Sequence, residues 1–454
     1  MLVFISDIHL TDGTSGETIN QRAFKVFRER LRDMAYDASW RANGKYKPID
    51  RLDLVFLGDI LDVIRSTKWL QGSVRPWSNW KSPQFRRKVA AVSQAILNRN
   101  SEALGYLKSM QDPKVITIPE ATKARTPKKV SRDPDAKYRV PVQVRLHYMA
   151  GNHDWFFHLP GAAYDAVRKG VVDAMGLAND ATEPFPHRPG ESAELRELFE
   201  KHRVLARHGD IFDPWNFDGD RDASSLGDAI VVELLNRFPA EVERQMGRSL
   251  PDECHGGLRE IDNVRPLLVI PAWIDGLLQR LCPDPAQAKR VKRIWDDLAD
   301  EFLKLDFVGA HNNWYELTDL ADKLEWALKF SRGVSIQSLD RLLGLWRRLF
   351  PGEKPFHRNA LGEQAFKNRS ARFIVYGHTH HHELVPLDTC VTARGTLSQM
   401  CINTGTWRRV HERAVWKPEE QEFMGYYTMT YVAFFKDDER GGRAFETWSG
   451  ALGE

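Results

Sequence analysis

Histidines 378, 380, 381 and 382 fall within five positions in "IVYGHTHHHE", directly after an apolar run of β-branched and aromatic residues. A lone histidine is usually a core or loop residue satisfied by the backbone, so this cluster gains meaning only if other parts of the chain carry matching chemistry. They do. In chain order they are Asp7 and His9 in "SDIHL", Asp59 and Asp62 in "GDILD", Asn152, His153 and Asp154 in "GNHD", His208 and Asp210 in "HGD", and His378 and His380 in "GHTH". Carboxylate oxygens, imidazole nitrogens and one amide oxygen make a mixed donor set. That set suits divalent Mn, Fe, Zn or Co rather than the all-oxygen cage of calcium. Residues i and i+2 of an extended segment point to one side, so Asp7 with His9, and His378 with His380, each aim two donors into one space. Seven candidate ligands oversupply one ion and suit two if one carboxylate bridges. Such a pair lies about 3.5–4 Å apart, the separation used for in-line displacement at phosphorus.

The elements that must position these residues are short apolar runs. Residues 2–6 and 52–57 read as buried strands, and Phe24, Phe27, Leu31 and Met34 recur between them at helical spacing. A strand, helix, strand order favours a parallel pair with a helical crossover. Runs at 144–149, 203–206 and 372–376 repeat the pattern, and each is followed by one of the polar motifs. Open α/β sheets bind ligands at the carboxyl ends of their strands, so five such ends would gather the motifs in one crevice. Gly58, Gly151, Gly209 and Gly377 stand where the chain must turn sharply or approach closely.

Two stretches break this rhythm. Residues 113–141 mix proline, lysine and arginine and read as an exposed, positively charged loop. Residues 215–370 read as a mostly helical insertion: Val291, Ile294, Leu298 and Phe302 form one stripe and Leu317, Leu320, Leu324 and Leu328 another. Its tryptophans 273, 295, 314, 326 and 346 are expected in the core, and Pro251, Pro266 and Pro271 interrupt it. Strand character returns in "TLSQMCINTGTW" and "YYTMTYVAFF". The expected division is therefore a core of residues 1–214 and 371–454 with a cap of residues 215–370.

Composition narrows the class without naming a partner. The 454 residues carry a net charge of +3, with 28% charged and 42% hydrophobic residues, which is ordinary for a soluble globular protein. The four cysteines, Cys254, Cys282, Cys390 and Cys401, form no CxxC pair, so neither a disulfide framework nor a thiolate zinc site is expected. "MLVFISD" leaves no room for a signal core, and "PLLVIPAWI" is too short to cross a membrane. The expected location is cytoplasmic.

With these motifs in this order, the chain resembles the calcineurin-like metallophosphoesterases, whose signature runs D-x-H, G-D, G-N-H-D/E, H and G-H-x-H. The match covers the strand ends from Asp7 to His380 and leaves out the basic loop and the helical block. The resemblance implies an α/β fold of four layers (α-β-β-α), two mixed sheets packed together between helices, with a dinuclear site at their edge. It implies that Asp7, His9 and His380 bind one metal and Asn152, His208 and His378 the other, with Asp59 bridging and His153 contacting the phosphate or the leaving group. Asp62, Asp154 and Asp210 are candidates to orient the imidazoles, since ligating histidines commonly give their other N–H to a carboxylate; helix capping competes for Asp62. His381 and His382 match no family role and read as a site rim. "INTGTW" is similar to the family's turn after the GHxH strand, with no chemistry assigned.

The implied activity is a hydrolase acting on a phosphoester or phosphoanhydride, by hydroxide activated at two divalent cations, manganese foremost with Fe, Zn or Co as alternatives. "FISDIHL", "HGDIFD" and "GHTH" resemble the UDP-diacylglucosamine pyrophosphatase branch, which usually has arginine where "GNHD" has His153 and lacks so large an insertion. The nuclease group of double-strand-break repair shares "GNHD" and a "GDxxD" pattern, and the basic loop could serve backbone phosphates there. The chain lacks a long coiled-coil segment and a strongly basic balance, which favours a small phosphorylated substrate over DNA or RNA. A non-catalytic binding scaffold is the remaining alternative, opposed by the filling of all seven ligand positions.

Overall fold

Leu2 and Phe4 point to one side of the first strand and Val3 and Ile5 to the other, yet all four are fully buried. A strand apolar on both faces needs cover on both, and the rest of the chain supplies it. The computed structural model describes residues 1–130, 133, 136–264, 269–311, 328, 354–392, 395–413, 423–436 and 438–452. It shows a mixed α/β protein built on two mixed sheets.

The order begins β1 (Leu2–Ile5), α1 (Arg22–Ala38), β2 (Arg51–Leu57), α2 (Pro83–Arg99) and α3 (Ser101–Ser109). On α1 the residues at helical spacing, Phe24, Phe27, Leu31 and Met34, are all buried. Helix α2 starts where Ser82 accepts from the Phe85 N–H with proline in the first turn, a favourable start on both counts. A small antiparallel ribbon, β3 (Thr117–Pro119) with β4 (Arg139–Pro141), precedes β5 (Gln143–Met149). The ribbon corrects the loop expected over 113–141 at its two ends, which pair as β3 and β4 with Ile116 and Ile118 buried in the main core, while most of the described residues between the two strands are exposed as expected.

Next come α4 (Ala162–Met175), α5 (Ala193–His202) and β6 (Val204–Ala206). They are followed by α6 (Leu226–Ile230), α7 (Arg237–Met246), α8 (Asp252–Leu258), α9 (Ile270–Leu281), α10 (Pro285–Phe302) and α11 (Asp306–Ala310). The chain then returns through α12 (Gln364–Lys367), β7 (Phe373–Tyr376), β8 (His382–Thr392), β9 (Gly395–Thr404), β10 (Arg409–Arg413), β11 (Phe423–Phe434) and β12 (Phe445–Leu452). The first sheet runs β10-β11-β1-β2-β5 with β12 on β11, and the second β6-β7-β9-β8. Strands β1, β2 and β5 are mutually parallel, as are β6, β7 and β9. The five motif-bearing strands are thus divided between two sheets rather than aligned in one.

Alternation along the strands builds three apolar clusters. Val3, Ile5, Leu54 and Phe56 pack with the α1 stripe; Leu2, Phe4, Val55 and Leu57 pack with Val204, Phe373 and Val375 of the second sheet; Ile374 and Tyr376 face Phe356 and Phe366 on the far side. Helices α6 to α10 join the first of these clusters. On α10, Val291, Ile294, Leu298 and Phe302 are buried at helical spacing, and Trp273 and Trp295 are buried as well. Leu328 is buried, whereas Leu317, Leu320, Leu324, Trp314, Trp326 and Trp346 lie outside the described residues. Among those described, no helix is long and apolar enough to cross a membrane.

His202, the last residue of α5, makes this packing sensitive to acid. Its Nδ1 pairs with the Leu198 carbonyl at 2.9 Å, while its Nε2 is buried with no hydrogen-bond partner among the described residues. Burial pushes its pKa down to about 4 from an ordinary 6.5. The unfolded chain therefore takes up the proton first. The stabilisation is complete above about pH 6.5 and is lost as the pH falls towards 4, by about 3 kcal/mol if the whole shift is expressed. Replacing His202→Gln should flatten that part of the curve, measured as the urea midpoint between pH 7 and 4.5; an acid loss equal to that of the wild type would refute the assignment.

Candidate metal centre

Beyond the ends of β1 and β2 the chain keeps a parallel course without strand geometry. Asp7 N–H donates to the Gly58 carbonyl at 3.1 Å, His9 N–H to Asp59 at 2.9 Å and Leu10 N–H to Ile60 at 2.8 Å. Asp7, His9, Asp59, His378 and His380 all have positive φ, between 52° and 70°. This corrects the extended i, i+2 expectation. The paired donors share a direction because alternate residues are left-handed, a conformation that costs non-glycine residues of order 1–2 kcal/mol each.

Close approach of backbone completes the arrangement. A Cβ at Gly377 would lie 2.6 Å from both Asp7 Oδ2 and Ser6 Oγ, and one at Gly151 would overlap Asp59 Oδ1. The His378 N–H reaches Asp7 Oδ2 at 3.0 Å, so a loop of the second sheet closes on a side chain of the first. The "NTGTW" turn, given no role from sequence, holds the same point. Thr406 Oγ1 and the Trp407 N–H both donate to the Asp7 carbonyl, at 2.7 and 3.1 Å, and Asn403 Nδ2 donates to the Gly377 carbonyl at 2.7 Å.

All seven candidate ligands converge. Asp7, His9 and His380 form one group and Asp59, His208 and His378 another, with ligand atoms in each within 4.8 Å of one another. Asn152 Oδ1 lies 3.1 Å from both His208 Nε2 and His378 Nδ1. Asp59 Oδ2 stands between the groups, 3.2 Å from His208 Nε2 and 3.7 Å from His9 Nε2. Its other oxygen accepts the His153 N–H at 2.8 Å. Oxygen and nitrogen donors in two such sets could hold metal ions.

Burial raises the stakes for these charges. It opposes ionisation of Asp7 and Asp59, but the surrounding imidazoles together outweigh it, His208 foremost with His380 and His9 at Asp7 and with His153 and His9 at Asp59, and hold both carboxyls well below the usual range. His208, in turn, is driven well above the ordinary imidazole value by Asp59 and Asp7 against the opposing effect of burial. Buried carboxylates demand compensating positive charge, and divalent cations could supply it in place of protons.

The carboxylates outside the seven divide differently from expectation. Asp62 grips two rings, His9 Nδ1 and His153 Nδ1, each at 2.8 Å, leaving His9 to face its group through Nε2. It also accepts the Arg65 N–H at 3.0 Å, so the orienting role and a capping-type bond coexist. Burial lowers the His153 pKa, but Asp62 and then Asp59 outweigh it and raise the value. Asp154 takes no hydrogen bond from an imidazole among the described residues. It accepts from Tyr148 Oη at 2.5 Å, the Gly151 N–H at 2.6 Å and the Ile60 N–H at 2.9 Å, holding two of the turns. Asp210 pairs with Arg221, and His208 Nδ1 turns to the Leu57 carbonyl at 2.9 Å. The orienting role expected of Asp210 is taken by Asp213, which sequence reading missed: its Oδ2 lies 2.9 Å from His378 Nε2. The one-turn helix Asp210–Phe212 carries Asp213 there, and the available signal was a second acid three residues after the "HGD" aspartate. His381 is exposed, and His382 begins β8 with Nδ1 2.9 Å from the Asn403 carbonyl.

Burial and the Asp59 charge push the Asp154 pKa up to about 6. Asp154→Ala would leave three buried donors without their acceptor and should cost about 3–5 kcal/mol, while Asp154→Asn should cost less. Denaturant unfolding checks this, and an alanine variant within 0.5 kcal/mol of wild type would refute it. No family model and no curated protein matches the chain, so what this site can do is read from its geometry.

Proposed function

We propose that the chain is a metal-dependent phosphoesterase of the calcineurin-like metallophosphoesterase kind, hydrolysing a phosphoester or phosphoanhydride. The observation that carries this reading is the position of Asp59 Oδ2 between the two donor groups, 3.2 Å from His208 Nε2 and 3.7 Å from His9 Nε2. Asp7, His9 and His380 would hold one cation and Asn152, His208 and His378 the other, with Asp59 shared. A four-layer α-β-β-α arrangement belongs to the same proposal, supported by the apolar cluster common to both sheets. When bound, two such cations supply Lewis acidity: they lower the pKa of water and neutralise charge on phosphoryl oxygens. Manganese is the first choice among Mn, Fe, Zn and Co.

The chain's own contribution is to place a proton. His153 stands beside His9, ring centroids 4.7 Å apart and nearly perpendicular. Asp62 fixes its Nδ1, and the neighbouring carboxylates favour its charged form. An imidazolium so held can stabilise or protonate the departing oxygen, a contribution typically of about 10² to 10⁴ in rate. Asp62 acts on this proton and on His9 together, while Asp213 fixes the ring of His378.

Asp59→Ala should lose bound manganese, measured by elemental analysis after dialysis; two equivalents retained would refute the shared role. His153→Ala should keep its metal and lose about 10² to 10⁴ in kcat, and full turnover would remove it from the reaction. Manganese-loaded protein assayed on an aryl phosphomonoester, a bis-aryl diester, a nucleotide-sugar pyrophosphate and single-stranded DNA tests the reading itself, which fails if none is hydrolysed.

A further inference from the structure

The helical insertion meets the rim of this site through charge. Arg65 Nη1 and Arg408 Nη2 lie 2.5 and 2.6 Å from the same oxygen of Asp262, in the turn Ile261–Asn263, and all three residues are buried. Two guanidiniums thus share one carboxylate. Both are tied to the site by the backbone. The Arg65 N–H donates to Asp62 Oδ1, the oxygen that also meets His153, and Arg408 follows Trp407, whose N–H donates to the Asp7 carbonyl. Burial lowers the Arg408 pKa, and the carboxylates of Asp62, Asp7 and Asp59 oppose it.

Arg408 is 8% exposed, and its Nη1 is buried with no hydrogen-bond partner among the described residues. Its use as a strut that fastens the insertion accounts for Nη2 on Asp262 and gives Nη1 no task. A buried guanidinium fork with one side engaged and the other without a hydrogen-bond partner among the described residues is suited to an oxyanion. We propose that Arg408, supported by Arg65, forms a subsite for a second anionic group of the substrate, a phosphoryl or a carboxylate adjoining the phosphoryl group that meets Asp59 and His153. The proposal rests on the phosphoesterase reading and narrows its substrates to those with two neighbouring anionic groups.

Isothermal titration in excess manganese tests it with three non-hydrolysable, weakly chelating probes: dimethyl methylenediphosphonate, the P-methyl ester of phosphonoacetate, and monomethyl methylphosphonate, which lacks the second anion. The wild type should prefer at least one of the first two over the third by tenfold or more, and the better of them identifies the second group as phosphoryl or carboxylate. Arg408→Ala should bring that ratio to about one; should it fail to fold, Arg408→Gln, which keeps hydrogen-bonding capacity without charge, should do the same. Asp262→Asn should retain the ratio, because the strut is lost and the arginine kept. Absence of preference in the wild type, its survival in the Arg408 variants, or its equal loss in Asp262→Asn would overturn the proposal. Hydrolysis of the same four-compound panel by the manganese-loaded wild type reports separately on the enzyme reading: preference with none of the four hydrolysed refutes that reading and keeps the anion subsite, and hydrolysis without preference does the reverse.

Discussion

Three carboxylates, Asp7, Asp59 and Asp62, lie inside the protein with at most 1% of their surface exposed, and the local structure is organised around keeping them charged. An ion withdrawn from water is tolerated only with opposite charge and well-directed hydrogen bonds. Here His208 faces Asp59 and Asp7, His9 and His153 share Asp62, and the N–H groups of His153 and His378 are aimed at Asp59 and Asp7. The left-handed backbone at five of the seven candidate ligands follows from the same demand. An ordinary strand would alternate its side chains to opposite faces, whereas here five separate loops must deliver acids and imidazoles to one place. The strain persists because β1, β2, β7 and the 404–407 turn fix the loop ends.

Much of this was legible in the chain. The apolar runs at 2–6, 52–57, 144–149, 203–206 and 372–376 became β1, β2, β5, β6 and β7 with boundaries shifted by a residue or two, because a strand buried on both faces has few ways to be written. Convergence of the polar motifs was legible for a related reason: each follows directly on a strand with at least one parallel neighbour. What spacing could not convey was hand and aim. Nothing in the identity of Asp7 or His378 announces a positive φ. Asp154 and Asp210 have the right type to orient an imidazole, yet Asp154 is drawn to turn N–H groups and Asp210 to Arg221, partners that come together only in three dimensions. Asp213 was missed because a single helical turn redirects the chain after "HGD". Where the 113–141 stretch begins, Ile116 and Ile118 outweighed the proline and basic residues around them.

The described part of the insertion is bound to the site more closely than a cap with its own core would be. Helices α6 to α10 contribute to the cluster that also holds Ile5, Phe56 and Ile64. Between α6 and α7 the residues Val231–Asn236 form a π-helical turn, a geometry that is uncommon and often marks a functional position. Asn236 Nδ2 donates from this turn to the Ile64 carbonyl at 2.9 Å, and Glu233 pairs with Arg75 at 2.5 Å. The segment so gripped begins at Asp62, the one carboxylate that orients both His9 and His153.

Close packing makes this connection mechanical. Interiors at crystal-like density transmit displacement rather than absorb it, so a shift of the π turn would carry Ile64, and with it the Arg65 N–H that Asp62 accepts. A cap sharing a core with the sheet cannot swing aside without unpacking that core. The described helices α6 to α10 are therefore coupled through Ile64 and Arg65 to Asp62 and to the two imidazoles it holds.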